Sequence, residues 1–214
     1  MNILALDTTS ESGSLALRSN RKTVLELTIR STEGFAHLIF PAIQSLLDQG
    51  GVRLEKIDLF AAAAGPGSFT GVRVGLSAIK GLAEAEGKLA VGISNLQALA
   101  SFGNFPLRAV VLDARRAQVY AAVYNAALEA VVPEAVLPLS DWLGGLSEPE
   151  YQFISPVSLP FEGTRFAGMP FLEAPPNLAA AVAACAELQT GCDPAAIDAN
   201  YVRRSDAELF WREP

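Results

Sequence analysis

Histidine is almost missing from this chain. His37 is the only one in 214 residues, which excludes a multi-histidine metal site and leaves histidine-based proton transfer with a single candidate. It falls at an expected helix start, where a partly exposed surface side chain is the ordinary role. Cysteine is nearly as scarce. Cys185 and Cys192 cannot staple a chain of this size, and their spacing fits no metal or redox motif. Long apolar runs are missing too: the longest, around Phe60–Ala64, falls far short of the roughly 18–20 residues a membrane helix needs. The opening Met1-Asn2-Ile3-Leu4-Ala5-Leu6-Asp7 lacks a basic stretch followed by an extended apolar core, so no signal peptide is expected. These features lead us to expect a cytoplasmic protein with reduced thiols and no membrane association. Basic residues are the minority, 16 against 23 acidic for a net charge of −7, which argues against independent binding of nucleic acid.

What the chain does have is apolar content. Half of its residues are hydrophobic and only 18% are charged, which excludes a disordered chain. Its length allows one large domain or two of about 107 residues each. Ile3–Asp7, Ser14–Leu17 and Thr23–Ile29 read as three strands joined by short turns, an antiparallel meander. Leu38, Ile39, Ala42, Ile43, Leu46 and Leu47 then recur at helical spacing, and Gly50-Gly51 supplies the stop. Pro41 fits near the helix start or at a kink. A buried-type strand over Ile57–Ala64, a helix over Gly71–Glu86, a strand over Leu89–Ile93 and a helix over Asn95–Phe102 complete an α/β unit with a mixed sheet.

The pattern then recurs. Val110-Val111-Leu112-Asp113 has the character of Leu4-Ala5-Leu6-Asp7, with Asp7 and Asp113 lying 106 positions apart. Val119–Val123 and Val131–Leu137 supply further strands. Residues 141–176 are rich in proline and glycine, with a candidate strand at Tyr151–Ile154, and Leu178–Leu188 reads as an alanine-rich helix. Two related halves, 1–104 and a less regular 105–214, are expected to pack directly against each other.

The most informative stretch is Gly65-Pro66-Gly67-Ser68-Phe69-Thr70-Gly71-Val72-Arg73-Val74-Gly75-Leu76, between a buried strand and a helix. Backbone N–H groups in such a place can hold an anion. The lysine-serine or lysine-threonine of a Walker A loop does not follow its glycines, and Thr70 stands where a dinucleotide fingerprint needs glycine. The next strand ends Val91-Gly92-Ile93-Ser94 without the acidic residue a dinucleotide ribose requires, so an NAD-dependent oxidoreductase is not favoured. Two roles stay open for the loop: a tight turn with Ser68 or Thr70 as helix cap, or a phosphate site. Gly71 and Gly75, and Ser77 and Gly81, recur four apart beside a stripe of Val72, Leu76, Ile79 and Leu82. That face serves either packing within the domain or a helix-on-helix partner. No Gly-x-Ser-x-Gly elbow or His-x-x-Glu-His cluster occurs. Asp7 with Thr8 and Thr9 could hold a metal-bound phosphate, or simply end a strand in a turn.

The 65–76 stretch closely resembles the signature of the TsaB (YeaZ) family. Ile3-Leu4-Ala5-Leu6-Asp7-Thr8-Thr9, Gly92-Ile93-Ser94-Asn95-Leu96, Asp113-Ala114-Arg115-Arg116 and Tyr201-Val202-Arg203-Arg204 are similar to that family as well. The resemblance implies an actin-like/Hsp70-like ATPase (ASKHA) fold of two βββαβα-type halves with mixed sheets. It implies a non-catalytic scaffold or activator subunit of the complex that forms N6-threonylcarbamoyladenosine at tRNA position 37. The implied partners are a catalytic TsaD relative and a TsaE-like ATPase, with a homodimer when alone and tRNA reached only through the complex. ATP is used by the complex, and no tightly bound cofactor or metal is expected in this chain. The catalytic relative carries a His-x-x-x-His pair where this chain has Asn95 and Leu99, so neither metal chemistry nor protease activity is expected. Partner contacts are expected from first-half helices, at Leu38, Ile39, Ala42, Gly71, Val72, Gly75, Leu76, Ala78 and Ile79. Asp7, Thr8, Thr9, Gly65, Gly67, Ser68, Thr70 and Asp113 would form the motif loop, a vestigial phosphate site. The alternative is an autonomous ATP-dependent phosphotransferase of the same superfamily, using Asp7, the glycine loop and Asp113.

Overall fold

A computed structural model of the chain describes residues 1–147, 150–161 and 163–202. The expected closing pair Arg203-Arg204 lies outside the described residues. The first sheet has the order β3-β2-β1-β4-β5, formed by β1 (Asn2–Asp7), β2 (Ser12–Ser19), β3 (Lys22–Arg30), β4 (Leu59–Gly65) and β5 (Leu89–Ser94). Its meander is antiparallel, whereas β1–β4 and β4–β5 are parallel. The second sheet is built from β6 (Leu107–Asp113), β7 (Val119–Asn125), β8 (Ala130–Leu137), β9 (Gln152–Ser155) and β10 (Phe171–Glu173). Its order, β10-β9-β6-β7-β8, repeats the first with the same mixture of directions. Both sheets are mixed sheets of an α/β fold, as the resemblance implies.

Alternation on the strands sets the layers. Ile3, Ala5, Leu59, Ala61 and Ala63 face inward onto α3 (Asn95–Ala100), α5 (Ala179–Ala186) and the second sheet. Leu4, Leu6, Phe60, Ala62 and Ala64 face outward onto α1 (Ile39–Gly50) and α2 (Phe69–Ala85). This period of two is what a strand buried on both faces requires. The outer face of the second sheet packs on α4 (Leu139–Gly145) through Trp142 and Leu143. Two helices therefore lie between the sheets, and α5 returns to pack on β1 and β2 of the first.

Local chemistry explains the boundaries. Pro41 occupies the first turn of α1, where its missing N–H costs nothing, and Gly51 caps the far end in the left-handed region at φ 64°. Ser68 caps α2 by accepting the Gly71 N–H at 3.2 Å. Three elements depart from expectation. The helix α4 and the three-residue edge strand β10 lie in the Pro/Gly-rich stretch, where composition masks short elements. Between β9 and β10, no helix matching α2 forms among the described residues, so the second half lacks its repeat of that element.

Candidate functional site

Three motif segments, 3–9, 65–76 and 92–96, converge at the carboxyl ends of β1 and β4, and their polar atoms form one hydrogen-bonded chain. Asp7, fully buried, lies on the inward face with Ile3 and Ala5. Its Oδ2 accepts the Leu178 N–H at 3.2 Å. Its Oδ1 accepts both the Thr9 N–H at 2.9 Å and the Thr9 hydroxyl at 2.6 Å. Thr9 Oγ1 in turn accepts from Asn95 Nδ2 at 2.5 Å, and Asn95 Oδ1 accepts the Gly65 N–H at 3.2 Å. Gly65 precedes a cis bond to Pro66 and has φ +98°, a backbone state that suits glycine. A neighbouring Asn200 donates its backbone N–H to Ala64 O at 2.8 Å and its Nδ2 to Glu134 Oε2 at 2.6 Å. The other Glu134 oxygen accepts the hydroxyls of Ser94 and Tyr124. Each side chain in this path has a partner, the condition under which a buried polar network rigidifies a junction.

Electrostatics follow from burial. Desolvation raises the Asp7 carboxyl above its ordinary value, opposed by the hydrogen bonds from the Thr9 side chain, the Thr9 backbone and Leu178. Burial also raises Glu26, against a backbone hydrogen bond from Ala180, and the Asp7 charge adds to the rise. Tyr124 is raised by burial and then by Glu134. The Cys185 thiol is pushed up to about 11 by burial.

A cleft of about 810 Å³ opens beside this junction, lined by Thr9, Gly67, Ser68 and Asn95 from the first half and Asp113, Arg115 and Tyr120 from the second. Asp7 is not among its lining residues; both carboxylate oxygens are spent internally. Asp113 is exposed, its Oδ1 accepting the Arg115 N–H at 2.8 Å. Arg115, Arg116 and Ala117 follow in three successive left-handed conformations at φ 63°, 54° and 58°, each costing roughly 1–2 kcal/mol for a residue with a Cβ. The structure thus brings Thr9, Gly67, Ser68 and Asp113 to one cleft. Asp7, Thr8 and Gly65 become its internal supports, and Thr70 stays exposed on the first turn of α2. Asn95 ties two loops together and Leu99 is fully buried apolar core.

The expected partner residues need correcting. A Cβ on Gly71 would lie 1.9 Å from the Thr8 carbonyl oxygen, and one on Gly75 would lie 2.5 Å from Thr8 Oγ1. These glycines let α2 sit against the end of β1, where Thr8 Oγ1 donates to Gly71 O at 2.7 Å. Val72, Leu76, Ala78, Ile79 and Ile39 are likewise buried in the chain's own core. Only Leu38 and Ala42 remain partly accessible. The outward side of the same helix pair carries Phe40 and Phe69, 55% and 47% exposed. Phe69 belongs to a surface cluster. The Arg73 guanidinium lies 3.8 Å over its ring, and Arg73 Nε donates to the Tyr201 hydroxyl at 2.9 Å. The Phe69 and Tyr201 rings are 5.6 Å apart.

The family model described as TsaD, tRNA N6-adenosine threonylcarbamoyltransferase, matches residues 30–203. The tRNA threonylcarbamoyladenosine biosynthesis protein TsaB of Bacillus subtilis (strain 168) is 35% identical over 153 residues, covering 69% of this chain and 67% of that relative. The chain belongs to the TsaB (YeaZ) family. The protein of the same description from Haemophilus influenzae is 39% identical over 126 residues, 56% of this chain and 52% of the relative, so that alignment spans about half its length. The fold agrees with YeaZ from Pseudomonas aeruginosa at a TM-score of 0.76 and 24% identity, covering 94% of this chain and 99% of that one.

Within this TsaB-family chain, sequence reasoning missed Glu134, Asn200 and the Arg73–Tyr201 contact. Glu134 is the one acidic residue inside the apolar β8 segment Ala130–Leu137, a signal that could have marked it. Asn200 carried none. No helix among the described residues is long and apolar enough to cross a membrane.

Proposed function

We propose that this chain is the non-catalytic scaffold and activator subunit that pairs with a TsaD-type enzyme to form N6-threonylcarbamoyladenosine at tRNA position 37. The observation that carries the non-catalytic part is the fate of Asp7 and Asn95. The polar groups best placed for chemistry at the junction are consumed in holding β1, β4, α3 and α5 together, and Leu99 is core. Family membership supplies the pathway. An autonomous phosphotransferase would need Asp7 free to meet a metal-bound phosphate, and its two oxygens already accept three donors.

The docking face in this reading is the outward side of α1 and α2, with Phe40, Phe69 and Arg73 as its large exposed groups. Exposed aromatic and arginine side chains are the residue types that anchor interfaces. In isolation the same face would close a homodimer. A TsaE-type ATPase joins the pair, and tRNA is reached through the assembly rather than by this acidic chain alone. Mixing the chain with a TsaD-type protein at micromolar concentration and separating by size gives a mixed complex if the reading holds. The mixture, supplied with threonylcarbamoyl-adenylate and a TsaE-type ATPase, then modifies tRNA faster than the enzyme alone. Two separate peaks would remove the basis of the proposal.

A further inference from the structure

The chain after α5 runs back along the first half. Cys192 exchanges two backbone hydrogen bonds with Ala90, both 2.9 Å, covering the outer edge of β5. Ile197 is buried in the cluster that holds α2, and Lys80 of α2 donates to Ala195 O at 3.4 Å. At Asn200 this strap crosses the β4–α2 turn and is gripped from the second sheet by Glu134. One residue further, Tyr201 emerges half-exposed and meets Arg73 and Phe69 at the amino end of α2. Glu134 therefore links the second sheet, through two neighbouring residues of the strap, to an exposed cluster on the proposed docking side of α2.

We propose that this strap, clasped by Glu134 through Asn200, presents Tyr201 and Arg73 as one end of the docking face, so that pairing depends on a carboxylate in the second sheet. The inference rests on the pairing proposed above and commits to a TsaD-type partner. A TsaD-type family model matches this chain over most of its length, so such a partner offers a related helix pair that can meet this one about a pseudo-two-fold axis. Arg73 suits the role of contact point. Its guanidinium is stacked on Phe69 and bonded to Tyr201, and no carboxylate among the described residues forms an ion pair with it. A stacked, preoriented guanidinium loses less freedom on meeting a partner carboxylate or carbonyl than a free one does.

The test uses the full chain with Asn200→Ala, Glu134→Ala and Tyr201→Ala. Amide hydrogen exchange is measured over residues 64–73 and 192–202, and affinity for a TsaD-type partner is measured by calorimetry. Asn200→Ala and Glu134→Ala should raise exchange in both segments about tenfold, as expected when a local opening becomes easier. Both should also weaken partner binding by about tenfold, within the usual range of coupling between sites. Tyr201→Ala should weaken binding while exchange over 64–68 stays at the wild-type rate. Unchanged exchange in Asn200→Ala and Glu134→Ala overturns the clasp. Raised exchange with wild-type affinity overturns its coupling to pairing. A wild-type chain that binds no partner overturns the pairing reading and the coupling together, and the exchange data still decide the clasp.

Discussion

Asp7 and Asp113 close the first strands of the two sheets, and each accepts the backbone amide two residues on, at 2.9 and 2.8 Å. The repeat thus extends to a single side-chain hydrogen bond, yet the two carboxylates live in different surroundings. Asp7 meets the start of α5 and is sealed. The equivalent position in the second half has no such helix over it, and Asp113 stands open at the cleft beside the left-handed turn at 115–117. One copy has become a structural joint and the other remains a surface group.

The buried copy makes stability depend on pH in the direction opposite to most aspartates. Desolvation raises the folded value of Asp7, and that of Glu26 with it. Between the ordinary carboxyl value and the raised one, the folded chain holds more protons than the unfolded chain. Stability from these groups is therefore full below the unfolded value and is lost as pH rises through the folded one. Urea unfolding of wild type and Asp7→Asn across pH 4 to 7 should show a smaller fall with rising pH in the variant. A variant slope equal to wild type would show that Asp7 does not titrate in this range.

Two glycines of α2 should answer oppositely to alanine. Gly71→Ala drives a methyl group onto the Thr8 carbonyl oxygen, 1.9 Å away, and backbone cannot swing aside as a side chain can. A loss of about 2–3 kcal/mol is expected from such overpacking. At Gly81 a Cβ meets nothing within 4 Å, so Gly81→Ala should gain about 0.5–1 kcal/mol through helix propensity. Chemical denaturation of both variants checks the pair. Gly75→Leu belongs with Gly71→Ala: it should damage folding, and not merely pairing.

Much of this architecture was legible in the sequence because its signals are local. The alternation of Ile3–Asp7 and the 3.6-residue period before Gly50-Gly51 each report on a neighbourhood of a few residues. The Asp7–Asp113 spacing carried the duplication. The face of α2 was misread for a definite reason. Small residues four apart signal close approach of something, but the pattern is silent on whether that is another chain or the Thr8 backbone 63 residues away in sequence. The contact between Glu134 and Asn200, 66 positions apart, was invisible for the same reason, although Glu134 itself stands out as the one acidic residue of its strand. A tertiary hydrogen bond between two distant polar residues leaves no periodic trace.

Arg18 on β2 and Glu187 just beyond α5 form an ion pair with Nε and a terminal guanidinium nitrogen 3.0 and 2.9 Å from the same carboxylate oxygen. Their side chains are only 15% and 14% exposed, so removing one partner strands the other in a poorly solvated place. Glu187→Ala or Arg18→Ala should each cost about 3 kcal/mol, whereas the double replacement Arg18→Met with Glu187→Leu should recover most of the loss. Additive losses in the double variant would show that apolar packing cannot replace the pair. The effect should be read as thermal stability, since the pair fastens the middle helix layer and lies away from the α1–α2 face.

The two thiols should separate cleanly by reactivity. Cys185 lies inside the central layer at 2% exposure, and burial lifts its pKa to about 11, so near neutral pH it is both hidden and protonated. Cys192 sits exposed on the strap. Because the thiolate is the reactive species, a disulfide reagent at pH 8 should modify one thiol per native chain quickly. The second should react only at the rate of opening or after denaturant is added. Cys192→Ser should abolish the fast phase and leave the slow one. Two fast thiols in the native chain would mean that α5 is not held against the sheets as the Arg18–Glu187 pair and the Asp7–Leu178 hydrogen bond require.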